Sequence, residues 1–362
     1  MSHLSDVFVG RENNLTFIRL MAALAVIYGH ASAVVPGSGA DWVARTTGYA
    51  FAGGVAVDLF FLISGFLVTA SLLSGGVKHY VVSRVLRIYP ALWVHLILVT
   101  FVLGPLVTTL PVADYFANRE VWSYFLGLAA TYKGAFFLPG VFAGNGDHAV
   151  NGSIWSVLIE VWLYAIMLLF YVLGIFRSRA IFNGAFFVLI VVVWQHPAWV
   201  PPFISGTTNL HVCLMFYIGS FLYVNRATVP TGPYFLMIAL FLAGITLGTD
   251  RFPLAYILVL VTFFCCASFS SQLSWFDRYG DFSYGVYLYG WPCQQIVAMA
   301  FPGLSGLQHT FAAMAFALVM GALSWHLIEK KAMDLKSRIK GEFRFLNLLK
   351  PSAERKAGAL AR

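Results

Sequence analysis

The stretch AGGVAVDLFFLISGFLVTASLLS, residues 52–74, carries a single ionisable side chain, Asp58. About 20 mainly apolar residues carry a helix across the hydrocarbon core of a bilayer, so this run reads as a membrane-crossing helix. Comparable runs occupy 16–36, 90–110, 152–175, 209–225, 253–270, 281–301 and 309–328, with shorter ones at 180–194 and 233–248, making ten. The composition agrees. Of 362 residues 60% are hydrophobic and only 10% charged, with a mean hydropathy of +0.79, whereas an ordinary soluble domain is about 25% charged. A soluble enzyme, a disordered chain and a nucleic-acid binder are excluded. The chain reads as all-α, a polytopic integral membrane protein of about ten transmembrane helices.

The net charge of +8 sits mostly at one end. Ten of the 23 Lys and Arg residues follow Ile328, against Glu329, Asp334, Glu342 and Glu354. The segment 120–138 is aromatic but holds Glu120 and Lys133, and the positive-inside rule decides its place. If it does not cross, both termini are cytoplasmic. Eighteen basic residues then face inward, and Arg45, Arg119, Lys133 and Arg251 face outward. If it crosses, the C-terminal basic run is stranded outside. The resulting division is a cytoplasmic segment 1–14, a ten-helix domain 15–328 with an extracytoplasmic loop or interfacial segment at 111–150, and a basic cytoplasmic tail 329–362. The polar start argues against a cleaved signal peptide. Cys213, Cys265, Cys266 and Cys293 lie in apolar segments without metal spacing and read as buried hydrophobes.

Ionisable groups inside spans are costly and mark function by default. Here they are Arg19, His30, Asp58, His95, Glu160, His211 and His326. Arg19 and His30 lie eleven positions apart on the first helix, which returns them to one face about 16 Å apart along the axis. Arg19 falls near the cytoplasmic entrance and His30 in the outer half. Asp58 and Glu160 fall at a similar depth to His30, so the three suggest a polar cavity open to the outside, with a carboxylate holding the imidazole tautomer. His95, His211 and His326 read as anchoring or capping residues. On the inner side KHYVVSRVLRIYP (78–90) offers Lys78, Arg84 and Arg87. The two arginines share a helical face, and their forked guanidinium groups suit phosphate; contact with anionic lipid heads is the plainer reading.

Taken together the motifs resemble the membrane-bound acyltransferase 3 family. NLTFIRLMAALAVIYGH (14–30) is similar to its Arg-x10-His first helix, and GGVAVDLFFLISGFLVTAS (53–71) to its second-helix motif. SRVLRIYPA (83–91) resembles its R-x-x-R segment, and GSIWSVLIEVWLY (152–164) its Trp-Ser-x-x-x-Glu helix. SYGVYLYGWP (283–292) and HLIEKKAM (326–333) resemble its last landmarks, though Gly290 stands where relatives carry a polar residue or histidine, and Lys331 where proline is usual. The chain looks like a stand-alone member without an extracytoplasmic SGNH-type hydrolase domain.

The resemblance implies transfer of an acyl group, acetyl by preference, from cytoplasmic acyl-CoA to a hydroxyl of an extracytoplasmic or lipid-linked glycan. It implies a bacterial inner-membrane location and acyl-CoA as co-substrate, with no metal. The essential pair maps onto Arg19 and His30, the R-x-x-R pair onto Arg84 and Arg87, and the carboxylates onto Asp58 and Glu160. In the mechanism that follows, Arg19, Arg84, Arg87 and Lys78 hold the CoA phosphates. His30 is the general base, oriented by Glu160 or Asp58, and Ser64, Ser153, Asn151 or Tyr287 steadies the oxyanion. An acyl-histidine intermediate is the other route. The alternative class is a proton-coupled transporter or lipid-linked sugar flippase without acyl chemistry. The sequence leaves open the acceptor, the acyl group and whether the chain forms an oligomer.

Overall fold

A computed structural model describes residues 2–8, 13–201 and 205–335; Arg11 and the basic tail beyond Leu335 lie outside them. Helix α1 (Leu15–Val34) starts at Asn14, whose side chain donates to the Ala267 carbonyl at 3.0 Å and accepts from the Leu273 amide at 2.8 Å. Helix α2 (Ala52–Ile97) runs for 46 residues but breaks at Gly76 (φ 69°, ψ 175°), a left-handed conformation that glycine adopts without a Cβ clash. The break divides it into two helical limbs, 52–75 and 77–97. The second continues through a π-helical stretch, Leu98–Leu103, to Val107. The 78–90 segment is therefore helix, extending the 90–110 span back to the turn.

Helix α3 (Arg119–Ala129) has 11 residues, about 17 Å at 1.5 Å per residue, and opens on the charged pair Arg119 and Glu120, which sets it apart from the longer apolar helices. The remaining long helices among the described residues are α4 (Trp155–Val172), α5 (Arg179–Gln195), α6 (Thr207–Val224), α7 (Pro233–Thr246), α8 (Phe252–Ala267), α9 (Ser283–Ala300) and α10 (Gly306–Ser324). The last runs on through π-helical Trp325–Glu329 to Leu335. With the limbs of α2 counted separately and α3 set aside, ten helical segments coincide with the ten apolar runs. The protein is an all-α polytopic membrane protein.

Alternation along the chain gathers the connections on two faces. One carries the N-terminal segment, where Ser2–His3 pairs with Pro230–Thr231 in a two-residue antiparallel ribbon, together with Gly76, the 268–282 connection and the end of α10. The opposite face carries 35–51, 108–154 and 301–305. The most extensive helix pair is α2 with α6, held by small residues. A Cβ at Gly65 would fall on the Phe216 carbonyl, and one at Gly219 on the Leu62 carbonyl. Close backbone approach through small residues is how helices associate where lipid offers no hydrophobic drive.

The non-helical stretch before α4 is fastened along α9. Asn145 donates to the Gln295 carbonyl and side chain, and Gln295 donates to the carbonyls of Asp147 and Ala149, both at 2.7 Å. Pro292 lacks the amide that would bond the Leu288 carbonyl in a regular helix. Asn151 supplies the missing donor at 2.9 Å.

Candidate active site

Between α1, both limbs of α2, α4 and α9, in the half nearer the N-terminal face, lies a cavity of about 260 Å³. Arg19, Arg84, Arg87, Glu160 and Asp281 all line it. Arg19 and Arg87 both donate to Oδ2 of Asp281, each at 2.7 Å, and Ser283 donates to Oδ1 through its hydroxyl at 2.5 Å. Arg87 also reaches Glu329 at 3.3 Å, and Ser324 donates to the other oxygen of Glu329 at 2.8 Å. Two guanidinium groups thus face two carboxylates, a closed set in which each buried charge has an opposite partner.

Arg84 stands apart. Among the described residues no carboxylate lies within ion-pair distance of it, its Nε is buried without a hydrogen-bond partner, and its guanidinium carbon sits 5.5 Å from the Tyr164 ring centre. Glu160 faces the same space. Its Oε1 accepts from Ser64 at 2.6 Å and from Tyr164 at 2.5 Å, and no described residue bonds Oε2. Lys78 is exposed near the Gly76 turn and does not line the cavity.

His30 lies toward the opposite face. Its Nδ1 is 2.7 Å from the Val26 carbonyl; a carbonyl only accepts, so Nδ1 carries the proton and Nε2 keeps its lone pair. The ring meets Phe51 and Trp291 edge-on, with centres 5.1 and 5.0 Å away. Trp291 is fixed by its indole N–H on the Ala149 carbonyl at 2.8 Å, so the fastened loop sets one wall beside the imidazole. The Phe60–Tyr287 ring pair, 5.8 Å between centres, belongs to the cavity lining, whereas His30 does not.

The single polar cavity expected from the sequence is not what the structure forms. Asp58 points from α2 toward α6 and α8, where its Oδ2 accepts from His211 at 2.9 Å and from Tyr256 at 2.6 Å. Glu160 belongs with Ser64 and Tyr164. Neither carboxylate is bonded to His30; similar depth did not mean a shared direction. A backbone carbonyl one turn earlier on α1 does the orienting instead.

A family profile described as an acyltransferase domain matches residues 12–326. The chain belongs to the acyltransferase 3 family. It is an acyltransferase, an enzyme, and similar proteins cover almost its full length. An O-acetyl transferase of Shigella phage Sf6 is 27% identical over 350 residues, covering 90% of this chain and 98% of that protein. Nodulation protein 10 of Rhizobium leguminosarum bv. viciae is 30% identical over 373 residues, covering 91% and 95%. No solved structure matches the chain.

Two carboxylates that hold the cavity arginines, Asp281 and Glu329, are not among the candidate site residues the sequence offers. Asp281 stands at the first position of the apolar run 281–301, and Glu329 at the first position of the basic tail 329–362. The signal available for Glu329 was HLIEKKAM itself, a carboxylate at the end of an apolar helix and directly before two lysines. His211, read from the sequence as an anchoring or capping residue, bonds Asp58, and His95 is fully buried and accepts from Asn151 at 3.2 Å. The four oxyanion candidates all have their donors engaged. Ser64 gives its proton to Glu160, Ser153 to Asn151, Asn151 to Leu288 and His95, and Tyr287 to the Ser153 carbonyl.

Proposed function

We propose that the protein is an O-acyltransferase of a bacterial inner membrane, moving an acetyl group from cytoplasmic acetyl-CoA to a hydroxyl of a glycan or lipid-linked sugar presented at the other face. The observation that carries this reading is an uncompensated cation and an oriented base toward opposite faces of one helix bundle: Arg84 in the inner cavity, and His30 with a bare Nε2 toward the other face. The basic residues Lys78, Arg84, Arg87, Arg177, Arg179, Arg226 and Arg278 gather at the N-terminal face, which the positive-inside rule makes cytoplasmic.

A CoA phosphate would pair with Arg84, with Arg19 and Arg87 adding field rather than free donors because Asp281 and Glu329 already hold them. The pantetheine arm runs up the cavity, past the Phe60–Tyr287 pair, toward His30, a climb comparable to the roughly 16 Å that separates Arg19 from His30 along α1. The acceptor hydroxyl gives its proton to Nε2 as its oxygen attacks the thioester carbonyl. Collapse of the tetrahedral intermediate breaks the C–S bond, and the imidazolium returns the proton to the departing thiolate. The acetyl choice and the sugar acceptor are supported by the relative named an O-acetyl transferase and by the aromatic Phe51 beside His30, a surface on which a sugar ring can stack.

The test is release of free CoA thiol by purified protein in liposomes, given acetyl-CoA outside and candidate glycans, with the acetylated product identified by mass spectrometry. Thiol release that depends on both acceptor and His30 supports the reading; no release with any glycan overturns it.

A further inference from the structure

On the side of Arg84 away from the cavity, the second limb of α2 and helix α4 leave a groove of about 170 Å³. Arg84, Ile88 and Tyr164 form the wall common to groove and cavity. The rest of the groove is largely apolar, made by Val81, Val85, Val161, Ala165 and Leu168, with Tyr80 and Tyr89 at its margins. Val81 and Val85 are 39% and 43% exposed on helices that cross the membrane, so this side faces lipid. Arg84 lies eight residues beyond the Gly76 turn, about 12 Å along the helix, near the depth of the inner headgroups.

Arg84 has a buried Nε that no described residue bonds and no described carboxylate within ion-pair distance, so an anion brought to it would stabilise it. Arg87, one turn away, has Asp281 and Glu329; Arg84 has neither. An apolar groove ending on that cation demands hydrocarbon and negative charge in one molecule. Basic sites between transmembrane helices at the cytoplasmic side meet that demand with anionic lipid.

We propose that this groove binds one anionic phospholipid of the inner leaflet, its phosphodiester on Arg84 and one acyl chain along Val85, Ala165 and Leu168. Because Arg84 also faces the cavity, the lipid phosphate and a donor phosphate would meet at the same side chain from two directions. The inference uses the assignment of this face as cytoplasmic and none of the acyl chemistry.

The experiment is lipid binding by the purified full-length protein, read by native mass spectrometry during titration with phosphatidylglycerol or phosphatidylcholine. The wild type should retain one phosphatidylglycerol and bind phosphatidylcholine weakly. Arg84→Gln should weaken phosphatidylglycerol at least about fivefold, the factor for one basic residue at a lipid surface. Ala165→Phe, which fills the groove from an exposed position and leaves the charge in place, should do the same; thermal melts verify that both variants are folded. Wild-type-like retention in either variant, or equal retention of the two lipids, overturns the site. Thiol release is measured separately, so lipid binding without turnover would defeat the acyl-transfer reading alone, and turnover without lipid selectivity would defeat this one alone.

Discussion

His30 donates its Nδ1 proton to the carbonyl of Val26 at 2.7 Å, one helical turn back along α1. The imidazole is oriented by the helix that carries it, and the tautomer leaves Nε2 as the only basic nitrogen. His30→Ala should therefore lower acyl transfer by about 10² to 10⁴, the usual share of a positioned acid–base group, while donor binding measured by calorimetry stays within a few-fold of wild type. Transfer at the wild-type rate in that variant would remove His30 from the chemistry.

Asp58 is not the partner of that imidazole, and its loss should look different. Asp58→Asn and His211→Ala each disturb a Tyr256–Asp58–His211 set linking α2, α6 and α8, in which Asp58 and Tyr256 are buried and His211 partly so, so each should lower stability by about 1–3 kcal/mol. Their double variant should cost less than the sum of the two, as for residues sharing one interaction. The readout is thermal unfolding in detergent. A stable Asp58→Asn protein whose transfer rate alone collapses would instead place Asp58 in the reaction.

The ten apolar runs made the fold legible, because a bilayer demands continuous hydrophobic length and little else was available to confuse it. Depth along each helix is legible too, and it marks Arg19, His30, Asp58 and Glu160 as ionisable groups inside apolar runs. What depth does not give is direction. Asp58 and Glu160 each turn toward a neighbour two or more helices away in sequence, and only the packing of α2 on α6 and α4 decides which. The Asp281–Arg87–Glu329 set joins residues 194 and 242 positions apart, and Glu329 looked like tail because the π-helical turn that folds it inward has no strong sequence sign.

That set separates the two arginines of the SRVLR segment. Arg84→Ala should raise the donor KM by about 10- to 100-fold, matching loss of a charge-assisted phosphate contact of about 1.5–3 kcal/mol, with little change in melting temperature. Arg87→Ala leaves Glu329 with only Ser324, so it should lower the melting temperature first. Steady-state kinetics beside thermal melts distinguish them. Equal stability loss in both variants would mean that Arg84 has a partner within the fold.

Asp281→Ala is the most severe substitution expected of the cavity. It strips Arg19 of its carboxylate and Arg87 of its shorter contact at once, leaving buried positive charge without compensation, which costs about 3–5 kcal/mol. Poor accumulation of folded protein should follow. Asp281→Asn keeps the shape and a carbonyl acceptor but not the charge, so it should fall between wild type and alanine. The diagnostic variant is Asp281→Ala combined with Arg19→Met, which removes one of the two stranded charges and should recover part of the lost stability. If the double variant is no more stable than Asp281→Ala, then charge compensation is not what Asp281 contributes, and its bonds to Ser283 at the start of α9 become the reason for its placement.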